Sequence, residues 1–200
     1  MTLANANSLT SVMHALKEWA IIVKAVEEGK QFILFRKGGI LDDGFSVESN
    51  EFLLYPTFEH QSREYIKDEY KKDFDTLVNS KRDDNTVTIR SIARVYGYYE
   101  SSDRSKLLRL SKFHILNDEF IDYRMQWNRS KPVSIMLVRA YMLDEPLLLP
   151  IKQEYYGCRS WIRIMLDYGI ITKSLKGSKP IVDDATIASI KKEVESILEV

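Results

Sequence analysis

HALKEWAIIVKAVEEGKQFILFRKGGI, residues 14–40, joins an amphipathic segment to a short apolar one and closes on a basic turn. Leu16, Trp19, Ala20, Val23 and Val26 recur at helical spacing and form one apolar stripe. Gly29 stands where that helix stops, because glycine enters the left-handed C-terminal cap without steric cost. A strand pair turning at residues 27–30 competes with the helix, supported by the β-branched run Ile21, Ile22 and Val23. The apolar spacing continues past that run, which favours the helix. Residues 31–36 are apolar on both faces, as in a strand covered on both sides. Gly38 and Gly39 then free the backbone after Arg36 and Lys37. A second dense stretch, FLLYPTFEHQ at residues 52–61, is the natural partner of the first.

Around these stretches, 200 residues suffice for one domain, or for one domain with a helical appendage. No apolar run reaches spanning length, so no membrane helix is expected. The N-terminus lacks a charged region followed by an apolar core, so it does not read as a secretory signal. The single cysteine, Cys158, has no internal partner for a disulfide, which suits a reducing cytoplasm. Lys plus Arg number 29, as do Asp plus Glu. Nucleic-acid binding would therefore need a local patch, since the net charge supplies no pull.

Residues 1–10 carry no pattern and are expected to be a flexible terminus. Residues 41–44 read as a turn, and residues 51–55 as a second core strand closed by Pro56. Residues 62–80 read as a helix with Ile66, Tyr70, Phe74, Leu77 and Val78 on one face. Residues 86–99 alternate. Val87, Ile89, Ser91, Ala93 and Val95 form a core face, while Thr88, Arg90, Ile92, Arg94, Tyr96 and Tyr98 form a face mixing cations with aromatics. Short helices are expected over 103–110 and 118–127, capped by Ser102 or Asp103 and by Asn117 or Asp118. Residues 133–143 read as a central strand, and 155–159 as a turn around Gly157. A helix capped by Ser160 runs to Leu166 in this reading, and 173–180 is a basic loop. The clearest helix spans 183–198, with Ile187, Ile190, Val194 and Ile197 as its stripe. The sum is an α+β protein: a small mixed, strongly curved sheet or open barrel with flanking helices and a C-terminal helix. Residues 11–168 would form one domain, with the basic loop and last helix of 169–200 packed on it.

The three histidines are far apart, and neither a His-Glu-x-x-His nor a Cys-x-x-Cys pattern is present, so neither a metal site nor a cofactor is expected. No phosphate-binding glycine loop and no Gly-x-Ser-x-Gly elbow occurs. Cys158 sits beside Arg159, which would lower a thiol pKa, but no base lies nearby in sequence. Thr57, Glu59, His60 and Gln61 follow a core strand, a place where pocket residues concentrate, though Thr57, Glu59 or His60 can instead satisfy backbone donors of the following helix. Asp43 followed by Glu59-His60-Gln61 can be aligned to a Mg²⁺-dependent nuclease site, and Mg²⁺ enters only under that alternative. Pro56 takes Glu59 off the strand on which such a motif belongs. Arg90, Arg94, Tyr96 and Tyr98 offer phosphate donors beside stacking planes, extended by Arg36, Lys37, Arg159 and Arg163 if the fold gathers them.

Ala15-Leu16-Lys17-Glu18-Trp19-Ala20, Arg36-Lys37-Gly38-Gly39-Ile40, Pro56-Thr57-Phe58-Glu59-His60-Gln61 and Gly157-Cys158-Arg159-Ser160-Trp161 together resemble the domain-of-unknown-function family eighteen-oh-two. That resemblance implies an association with restriction-type endonuclease domains and a role near DNA. More distantly, the order of elements resembles the PUA-like barrel, above all its ASCH branch, which carries a Gly-x-Lys-x-x-Glu-x-Arg signature. Gly29 and Arg36 match that signature, whereas Gln31 and Leu34 replace its Lys and Glu. The amidohydrolase activity of some ASCH members needs those charges and is not implied here; a cleft for RNA or a modified base is.

The leading expectation is a cytoplasmic, non-catalytic nucleic-acid-binding module, with DNA and RNA both open. Arg36, Lys37, Arg90, Arg94 and Arg159 would hold phosphates, Tyr96 and Tyr98 would stack, and Thr57, Glu59, His60 and Gln61 would line a pocket. The nuclease built on Asp43, Glu59 and Gln61 is one alternative. A protein-interaction module, with a protein partner or a second copy, is the other. The leading reading requires Arg36 and the Glu59–Gln61 trio to face a common hollow.

Overall fold

The opening stretch divides at its tryptophan in the computed structural model, which describes residues 10–37, 45–157 and 159–200. Thr10–Trp19 is a strand, β1, and Ala20–Glu27 is the helix α1. The helix starts at Ala20, not at Leu16, because β1 is held from both sides. It pairs parallel with β3 (Glu51–Thr57) and antiparallel with β6 (Trp161–Asp167). Ala15 and Leu16 are both fully buried and enter different cores, the alternation of a strand with covered faces. Gly29 ends the helix as expected, with φ +68°, while the Lys30 N–H reaches the Ala25 carbonyl at 2.8 Å. β2 (Ile33–Arg36) follows and is buried at every position.

The remaining elements are α2 (Lys71–Val78), β4 (Thr86–Ser101), α3 (Arg104–Arg109), α4 (Asp118–Gln126), β5 (Val133–Pro150), α5 (Tyr168–Lys176), β7 (Lys179–Pro180) and α6 (Asp184–Leu198). The sheet is mixed, seven-stranded and open, in the order β2-β5-β4-β3-β1-β6, with β7 paired to β5. Apolar side chains pack on both of its faces. Phe52, Leu54 and Ala93 join α1, α4 and α6 in the larger core. Leu53, Ile92, Tyr141 and Ile164 meet Ile171 of α5 in the smaller one.

Several expectations are corrected by this arrangement. Residues 161–166 form a strand, because Arg163 and Met165 are exposed between buried Ile162, Ile164 and Leu166, a period of two. The first half of the expected basic loop belongs to α5, capped by Asp167, whose carboxylate accepts from the N–H groups of Gly169 and Ile170, and Lys179–Pro180 is β7. Residues 62–80 hold two 3₁₀ turns, Arg63–Tyr65 and Asp68–Tyr70, before α2. Ile66 stays extended because it bridges to Leu116. β3 continues through Pro56, which stands beyond the last β3–β4 pair, Leu53 with Ile92, where no ladder bond is lost on that side.

The long strand β4 is broken twice. Between its Ile89 and Ser91 pairings, β5 advances from Leu147 to Met142, so the side chains change face at Arg90. Val87, Ile89 and Ile92 therefore share the smaller core, while Ala93 belongs to the larger one. The single core face expected from strict alternation does not exist, and neither does the single cation–aromatic face. The second irregularity leaves Tyr96 as the extra residue between Val95 and Gly97. The expected helices over α3 and α4 form, with Asp103 and Asn117 as caps. α6 forms with Asp183 as cap, and its stripe packs into the larger core.

Candidate nucleic-acid interface

One face of α1, the end of β3 and the first residues of β4 enclose a groove of about 910 Å³. Thr57 lines it from β3, Glu59 from the turn that follows, Glu27 and Lys24 from α1, and Thr88 and Arg90 from β4. The turn at residues 81–84 closes one side, and Tyr156 the other. Arg82 lies over the ring of Phe58 at 4.2 Å and stands 3.8 Å from Asp84. Asp83 is spent on the turn itself: it accepts from the Asn85 N–H and the Thr86 hydroxyl, which hold its carboxyl below the usual range. Lys17 donates across to the carbonyls of Tyr155 and Gly157 at 2.8 and 2.9 Å. Glu27 accepts from the buried Ser91 hydroxyl at 2.7 Å. Burial raises the Glu27 pKa, against the opposing effects of the Ser91 bond and the Arg90 charge.

The β4 irregularity decides which arginine belongs to the groove. Arg90 precedes the change of face and is exposed on the groove wall. Arg94 follows it, pairs with Glu51 across the β3–β4 ladder, and lies over the Tyr141 ring at 4.6 Å. That pairing raises the Arg94 pKa. Tyr96 meets the Tyr141 hydroxyl at 3.1 Å and accepts from Arg139, and these bonds lower its pKa. The Tyr98 hydroxyl contacts the Phe45 carbonyl, Glu100 and Ser134.

Arg36 is buried and faces Glu18. Its Nη2 is 2.9 Å from the Glu18 carboxylate and donates to the Lys17 carbonyl at 2.8 Å. The Glu18 carbonyl accepts from the Thr57 hydroxyl at 3.1 Å. Lys37 donates to the carbonyls of Arg124 and Met125 at the end of α4. Gln61 accepts the Ile21 N–H at 3.4 Å and so serves the first turn of α1. His60 is exposed at φ +60°. Arg159 is exposed, and Asp43, Cys158 and the Gly38-Gly39 turn lie outside the described residues.

The structure thus brings Thr57, Glu59 and Arg90 together around the groove. Arg36, Lys37 and Tyr98 do not line it, and Arg36 reaches only the backbone carbonyl of the groove residue Lys17. Sequence reasoning passed over Phe58, Arg82 and Glu27. Phe58 lies inside one of the words that carry the family resemblance, so a signal was present for it. Among the described residues, no three His, Cys, Asp or Glu side chains gather as a metal-ligand set. No helix of the described residues is long and apolar enough to cross a membrane.

The family model described as a domain of unknown function, DUF1802, matches residues 15–193. The chain belongs to this family. The matched span of this DUF1802 chain contains every groove residue named above. No curated protein matches it. Among solved structures it is similar to the ASCH protein of Zymomonas mobilis, at 13% identity and a TM-score of 0.43, over 83% of this chain and 95% of that one. A serine-to-alanine variant of the same protein gives 12% identity and a TM-score of 0.44, over 83% and 96%.

Proposed function

We propose that this DUF1802 protein is a non-catalytic nucleic-acid-binding module that holds a single strand, of RNA or of modified DNA, in the groove beside α1. One observation carries the reading: a guanidinium stacked on an aromatic ring, Arg82 over Phe58 at 4.2 Å, in a groove whose wall presents Arg90. Stacking planes beside phosphate donors are what single strands require of a protein. The volume suits a nucleotide-sized ligand. Glu27 and Glu59 give the groove acceptors for the amino groups of a base, the pairing by which carboxylates read nucleobases.

The test is binding of labelled single- and double-stranded RNA and DNA across a salt series. Affinity should fall steeply with salt. Arg90→Ala should weaken binding and flatten the log–log salt slope by about one. Phe58→Ala should cost about 1–3 kcal/mol of binding, the value of one stacking platform. Strands that fail to bind at low salt, or variants that bind as the wild type does, would remove the reading.

A further inference from the structure

Beside the end of β1, three cations meet one carboxylate among the described residues. Arg36, Lys37 and Arg124 come together, and Glu18 is the acid paired with them. The Glu18 and Arg36 side chains are 7% and 10% exposed, so this pair is out of water. Arg124 forms neither an ion pair nor a side-chain hydrogen bond with any described residue. It lies over the rings of Phe120 and Tyr123, at 5.0 and 5.8 Å. The Nε–H groups of Arg36 and Arg124 are both buried, and neither has a hydrogen-bond partner.

Such a cluster is costly as it stands. Desolvating a cation costs more than cation–π contacts return. Burial lowers the Arg124 pKa, and the Arg36 charge lowers it further; burial and Arg124 do the same to Lys37. Glu100, farther along the sheet, is engaged by Tyr98 and Ser134. Tyr123 is 39% exposed, so the cluster borders solvent.

We infer that Arg36, Lys37 and Arg124 form a pocket for a phosphate monoester. Among the described residues, three cations against one carboxylate leave two positive charges, which match the charge of that group near pH 7. Guanidinium forks with unused N–H donors suit its oxygens. Glu18 keeps the Arg36 guanidinium in place and prevents the cluster from being purely cationic. The source of the phosphate, a strand terminus, rests on the proposed function; the pocket itself does not.

Inorganic phosphate is the probe, compared with chloride at equal ionic strength. At tenfold its Kd, phosphate should raise the Tm of the full chain by about 3–6 °C. Arg124→Met should lose that response and be at least as stable as wild type in chloride, because it removes an uncompensated charge while filling the same space. In wild-type protein the Arg36 and Arg124 Nε–H resonances should shift on phosphate titration, a readout that survives if the variant does not fold. A wild-type Tm and spectrum indifferent to phosphate would overturn the pocket. So would an Arg124→Met protein that keeps the phosphate response or is destabilised in chloride. Oligonucleotides with 5′-phosphate and 5′-hydroxyl ends then separate the sources. Preference for the phosphorylated end assigns the strand terminus. Equal binding, with the response to inorganic phosphate retained, assigns a free phosphate monoester.

Discussion

His114 shows how one side chain couples the fold to pH. It is 3% exposed, accepts the Leu116 N–H through Nδ1 at 3.2 Å, and meets Phe35 edge-on. Its Nε2 has no partner. Burial pushes its pKa from 6.5 down to about 3, and the Lys67 charge adds to the shift. The folded imidazole is therefore neutral where the unfolded one takes a proton, so stability is complete above pH 6.5 and is lost as pH falls towards 3. Between pH 7 and pH 5 this group alone should cost about 2 kcal/mol. His114→Asn keeps an acceptor for the Leu116 N–H and should remove that part of the slope in urea titrations at the two pH values. A variant as pH-sensitive as wild type would assign the loss to other groups. No local pattern in the sequence marks this histidine as buried. The same is true of Arg36, whose partner Glu18 lies a helix and a turn earlier in the chain. Gln61, expected to line a pocket, instead serves the first turn of α1, forty residues earlier in the chain.

Among the elements, periodicity was readable wherever one period ran uninterrupted. α6 with its stripe and the buried β2 follow from spacing, whereas each cap of α3 and α4 is one of the two candidates its sequence offered. It failed where pairing partners decide. Trp161, Ile164 and Met165 fit a helical face, and only the ladder to β1 makes residues 161–167 a strand. The change of face at Arg90 depends on Leu143–Pro146 of a strand some fifty residues later, so alternation within β4 carries no sign of it. Gly29 is the position where local chemistry is decisive. Its φ of +68° disfavours any side chain, and an added Cβ would stand 3.1 Å from Ile181 Cγ2. Gly29→Ala should lower stability by about 1–2 kcal/mol, with the loss visible as a reduced urea midpoint at unchanged m-value. A midpoint that does not move would mean that α1 can end in another way without cost.

For the molecule as a whole, the question is whether the last helix belongs to the same cooperative unit as the groove. Ile187 and Val194 are buried in the core that also holds Ile21 of α1 and Leu34 of β2. Arg139 of β5 fixes the approach to the helix, donating to the Val182 carbonyl and pairing with Asp184 at 2.5 Å. Tyr99 donates to Glu195, and Lys106 to the Leu198 carbonyl. These contacts reach β4, β5 and α3, so loosening α6 removes one wall of the larger core. Ile187→Ala should therefore destabilise the entire chain by about 2–5 kcal/mol, the cost of a cavity at a closed site. Far-UV circular dichroism reports the helices, while Trp19, Trp127 and Trp161 report β1, the end of α4 and β6. Both signals should move to the same lower midpoint in the variant, as in one two-state transition. If α6 were merely laid on the surface, the circular dichroism would acquire an early phase while tryptophan fluorescence kept the wild-type midpoint. Coincident curves would tie the groove's rigidity to a helix that contributes no residue to its lining.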